Sequence, residues 1–173
     1  MTLVTVSIII AAWIFILYNI AALSIFGIPK SLSMTYYLYK DLTPKGNLKA
    51  LFSFMMYIVV AFMMPAWITM SEGSNWQFLS FLAPASILFV GTAPAFKSSD
   101  LENAVHQVSA YLAAAFSIAW ICLVTPFWWI VLIWLGVIAL CSIMTSSYKS
   151  GLIYWLEMVA FCATFTATIV YSI

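Results

Sequence analysis

Apolar residues run through this chain in long unbroken blocks, without the one-sided spacing of a surface helix or the alternation of a half-buried strand. Residues 1–29, 50–71 and 73–96 carry no acidic or basic side chain, and 150–173 carry one, Glu157. Residues 103–148 are interrupted only by His106. About 20 apolar helical residues cross a hydrocarbon core of roughly 30 Å, so four of these blocks predict one span each and the fifth predicts two. That fifth block divides at Thr125-Pro126, because proline has no amide hydrogen and disfavours helix in the residue before it. The expected spans are about 3–28, 50–71, 76–96, 104–124, 126–146 and 150–172, within a single transmembrane domain, 1–173. Runs such as Ile8-Ile9-Ile10-Ala11-Ala12-Trp13 are apolar on every side, whereas a barrel strand alternates with period two. The fold class expected is therefore all-α, a polytopic integral membrane protein built as a six-helix transmembrane bundle.

Composition agrees and narrows the function classes. The 173 residues are 66% hydrophobic and 6% charged, against about 25% charged in a soluble domain. So few charges cannot wet the surface of a soluble enzyme. A net charge of +1 gives no field to attract nucleic acid, so none is expected as a partner. The lipid bilayer is the expected partner, with a homo-oligomer or another membrane protein as a further candidate. Cys122, Cys141 and Cys162 lie in apolar runs with no CxxC pair, and are expected as small apolar residues without disulfides. No secretory signal is evident, since no basic region precedes the first apolar block.

The position of the charges orients the spans. All six cations are lysines, and they fall in the loops at about 29–49, 97–103 and 147–149. The positive-inside rule makes these loops cytoplasmic and puts both termini on the non-cytoplasmic side, in a plasma (inner) membrane. Trp67, Trp76, Trp120, Trp128 and Trp129 fall at the opposite ends of their spans, where an interfacial belt is expected. Only the first loop has substance. Its Ser, Thr, Tyr and Lys residues suit a segment in the headgroup zone, in part helical; the functional alternative is a lid or a docking element.

Candidate chemistry is confined to a few polar residues inside the spans. Glu157 lies eight residues beyond Lys149, about 12 Å into the last span, where a carboxylate must be neutral or paired. Its helical neighbours Ala160 and Thr164 form a small, polar stripe that faces other helices. His106 opens the fourth span and shares a face with Ser109, Ala113 and Ser117, a small-xxx-small pattern that allows close helix approach. Asn19 reaches a similar depth from the first span. Glu157, His106 and Asn19 are thus the candidates for a proton- or ligand-binding site, because intramembrane ionisable residues are functional by default. Their alternative role is packing: a neutral Glu157 hydrogen-bonded within the bundle, and a His106 at the interface. Pro84 lies mid-span and predicts a kink in the third helix.

Ser99-Asp100-Leu101-Glu102 has the spacing of a helix-opening capping box. No metal site is expected, because a catalytic zinc draws on several ligands, commonly more than one histidine, and the chain has one. No cofactor motif and no hydrolase, P-loop or dinucleotide signature occurs, so no catalytic residue is assigned and an enzyme is the less favoured class. The function expected is transport or conduction of a proton, an ion or a small hydrophobic solute through a buried polar site on the fourth and sixth spans. The alternative is a structural, signalling or effector subunit of a larger complex.

Overall fold

The computed structural model describes residues 2–43 and 45–173. Met1 and Pro44, which belong to the expected domain and to its first loop, lie outside the described residues. These residues form seven α-helices and no strand: α1 Leu3–Phe26, α2 Thr35–Asp41, α3 Ala50–Met70, α4 Leu79–Thr92, α5 Asp100–Val124, α6 Trp129–Met144 and α7 Leu152–Ser172. Short 3₁₀ turns at Leu32–Met34 and Asn47–Lys49 lead into α2 and α3. Four helices, those carrying α1, α3, α5 and α7, are long and apolar enough to cross a membrane.

Local chemistry explains where the helices begin and end. Thr2 caps α1, its hydroxyl accepting the Thr5 amide at 3.2 Å. Gly27 closes α1 at φ +68° and ψ −158°, a positive-φ conformation that glycine adopts without steric cost. Ser99 caps α5 by accepting the Glu102 amide at 3.2 Å, as the capping-box spacing predicts, and this cap starts α5 at Asp100 instead of about 104. Thr125 before Pro126 is extended, with ψ 155°, and separates α5 from α6. The two shorter helices are trimmed at both ends relative to 76–96 and 126–146. Pro94 stops α4, whose entry from Ser74 is a run of tight turns.

α1, α3, α4, α5 and α7 pack in that order into a ring that closes on α1, while α6 leans against α7. Gly91 permits the close approach of α4 to α3: a Cβ there would meet the Met56 Cβ at 3.0 Å. Inside the ring lie Ile8, Phe52, Val59, Trp67, Trp120 and Ile121, all essentially inaccessible. Outside it, Trp13, Phe54, Phe81, Phe89, Leu132 and Leu140 are exposed. A bundle that is apolar on both its inner and outer surfaces is matched to lipid.

Candidate functional site

The segment between α1 and α3 turns back into one end of the ring. Leu32, Ser33, Thr35 and Tyr39 are buried, so this stretch is a plug seated in the bundle and not a strip lying on a headgroup layer. The sequence carries a signal for this: from Ser31 to Tyr39 there is no charge, between Lys30 and Lys40.

Three helices hold the plug. From α1, the Tyr18 hydroxyl bonds the Thr35 hydroxyl, which in turn donates to the Leu32 carbonyl. From α7, a Glu157 oxygen accepts the Leu32 amide at 2.6 Å. From α5, His106 reaches two partners, with Nε2 2.8 Å from the Ser33 hydroxyl and Nδ1 2.9 Å from the Ala93 carbonyl. A carbonyl can only accept, so Nδ1 carries a proton, and a neutral ring then accepts the Ser33 proton at Nε2. The Ala93 carbonyl is one that α4 leaves unpaired at its end. Phe96 stacks on the imidazole at 4.8 Å. At the rim, the Tyr37 hydroxyl accepts the Lys97 amide at 2.7 Å; burial pushes this phenol upward and the Lys97 bond partly offsets it.

Glu157, His106 and Asn19 therefore gather at one end of the bundle without bonding one another. Glu157 and His106 grip adjacent residues of the plug. Asn19 donates to the Phe15 carbonyl on its own helix at 2.9 Å and accepts from the Tyr154 hydroxyl at 3.3 Å. Tyr154, one turn before Glu157, also donates its amide to the Lys30 carbonyl at 3.2 Å.

Beyond the plug, α3, α4, α5 and α7 enclose a cavity of about 60 Å³. Glu157 lies at the plug end and Thr164 two helical turns further along α7, about 10 Å away. Glu157 is the only ionisable side chain in the lining, which otherwise is apolar apart from Ser117 and Thr164. The Thr164 hydroxyl oxygen is buried and has no hydrogen-bond partner among the described residues. Ala113 and Ala160 also face the cavity. Ser109 is buried on the same helix as His106, and Pro84 is buried inside α4. The lining residues of α3 and α4, such as Met56, Met63 and Ile87, are buried, whereas Ala110, Ala114, Ala160 and Phe161 of α5 and α7 are only half-buried. The mouth of the cavity is thus along the α5–α7 seam.

At the other end Trp67 and Trp120 stack at 4.1 Å, nearly parallel. Trp67 donates to the Thr168 hydroxyl at 3.0 Å and Trp120 to the Ser71 hydroxyl at 2.8 Å. Both indoles are fully buried. They are core residues and not members of an interfacial belt, whereas Trp76, Trp128 and Trp129 are exposed. Sequence reading separates neither the buried pair from the exposed three nor Ser33 and Tyr154 from other loop and span residues. No protein-family model, no curated protein and no solved structure matches this chain.

Proposed function

We propose that this protein is a small transporter or conduction protein that moves a proton or a small solute through the cavity between α3, α4, α5 and α7. In this reading the chain crosses the plasma (inner) membrane six times, with α4 and α6 as its shorter spans. The lysine-bearing loops are cytoplasmic and both termini are on the other side. The plug then closes the cytoplasmic end and the tryptophan pair the outer end.

One observation carries the proposal: Glu157 is both the sole ionisable residue of the cavity and the acceptor of the plug's Leu32 amide. A proton or cation arriving at this carboxyl competes for the oxygen that holds the plug. Cavity occupancy and plug position are thereby linked through one side chain, as a gated path requires. The test is flux into liposomes reconstituted with the full chain. The wild type should conduct, and Glu157→Gln, which keeps an acceptor for Leu32 but cannot ionise, should reduce flux at least tenfold. Equal flux in the two proteins would remove Glu157 from the path.

The second reading, a subunit of a larger membrane complex without transport, draws on α6. That helix leans mainly on α7 and leaves Leu132, Leu140, Ile143 and Met144 exposed. Absence of flux together with a co-purifying membrane protein would favour it.

A further inference from the structure

We infer that a recess between the end of α2 and the start of α3 holds the headgroup of an anionic phospholipid through Lys40, Lys45 and Lys49. The site is separate from the cavity and does not depend on what the cavity carries. Three of the chain's six lysines fall within residues 40–49. With Asp41, Thr43 and Gly46 they line a recess of about 380 Å³. All three lysines are exposed, and set against Asp41, the one acid of the lining, they leave it a net charge of +2. Two other lysines of the chain are engaged differently: Lys97 and Lys149 lie over the rings of Tyr37 and Tyr148, at 4.8 and 5.6 Å.

Backbone geometry gathers these lysines. Gly46 sits at φ +60°, in the left-handed region that glycine adopts freely, and donates its amide to the Thr43 carbonyl at 2.9 Å. The turn brings the 3₁₀ segment Asn47–Lys49 back against α2. A Cβ on Gly46 would stand 3.3 Å from the Lys40 Cγ, so the Lys40 stem packs on the glycine and a side chain there would crowd it. Position then selects a lipid over a soluble anion. The segment Asn47–Met70 is long and apolar enough to cross a membrane, and the recess lies where it begins. Leu42, Leu48 and Leu51, interleaved with the lysines along the chain, are exposed. Cations beside exposed leucines suit a molecule with phosphate at one end and acyl chains at the other, whereas a free phosphate would use the lysines alone. The volume falls within the roughly 300–1,000 Å³ of small-molecule sites, and a net +2 matches a head with two phosphates.

The full chain, delipidated in a nonionic detergent, is titrated with tetraoleoyl cardiolipin, which carries two phosphates, and with dioleoylphosphatidylcholine. Bound lipid is counted by native mass spectrometry. The diphosphate lipid should bind at one per chain and the zwitterionic lipid at least tenfold more weakly. The triple variant Lys40→Gln, Lys45→Gln, Lys49→Gln should weaken the diphosphate lipid at least tenfold. The double variant Lys97→Gln, Lys149→Gln, which also removes loop lysines, should weaken it less than twofold. Gly46→Ala, which keeps every charge and disturbs the turn, should weaken it at least threefold, and it decides if the triple variant does not fold. Equal binding of the two lipids, equal losses in the triple and double variants, or unchanged binding in Gly46→Ala overturns the inference. Inorganic pyrophosphate that displaces the lipid at a matching concentration would assign the recess to a soluble anion and overturn it too. Flux through the cavity bears on none of these outcomes.

Discussion

A carboxylate oxygen 2.6 Å from the Leu32 amide sets what substitutions at position 157 do. Glutamine retains an oxygen acceptor, so the plug stays anchored and only the ionisable group is lost. Alanine removes the acceptor and leaves a backbone N–H in the protein interior, at a cost of about 1–3 kcal/mol. Glu157→Ala should therefore unfold at a lower temperature than Glu157→Gln in the same detergent. Equal melting temperatures for the two variants would mean that the bond carries no stability. The sequence marks Glu157 as the one acid inside a span, but it does not reveal the partner. That partner is 125 positions away and is a backbone amide, a group every residue but proline possesses.

At the scale of elements, the plug is the piece whose behaviour the helices alone do not fix. It is short, and Tyr18, Glu157 and His106 hold it through side chains from three different helices. His106→Ala removes two bonds, to Ser33 and to the Ala93 carbonyl. Amide hydrogen exchange over residues 31–41 should then quicken about ten- to a hundredfold, from the loss of roughly 1.5–3 kcal/mol, while α3 keeps its protection. Unchanged exchange would show that the plug is held by packing alone. The helices around it were far more legible. Their charge-free length announces α1 and α3, an apolar run with the single acid Glu157 announces α7, and Ser99 and Pro126 announce the ends of α5. The plug was legible only as an uncharged stretch, because a buried loop and an interfacial loop draw on the same Ser, Thr and Tyr residues.

For the whole molecule, the ring of five helices with α6 outside it closes a cavity between a plug and a tryptophan pair. The orientation proposed for it has a direct test in cells. In a background with the three cysteines replaced, Lys45→Cys should react with an impermeant maleimide only in inside-out vesicles, and Glu72→Cys only in intact spheroplasts. Both positions are exposed, so access and not burial decides labelling. Labelling of both from the same side would overturn the six-span topology, since one crossing, α3, separates them.

By itself the sequence determined that the chain is helical and apolar on all sides. Composition and block length are properties of each segment, and a backbone in lipid satisfies its hydrogen bonds only within a helix or a closed barrel. It also singled out Glu157, because an acid is costly wherever hydrocarbon surrounds it. Only the tertiary structure decided which apolar faces meet inside the ring and which face outward. In a chain with a dry core and an apolar exterior, hydrophobicity no longer separates inside from outside. That is why Trp67 and Trp120 read like Trp128 and Trp129 until packing divides them, and why the plug, the cavity and the hold of Glu157 on Leu32 belong to contacts between distant residues.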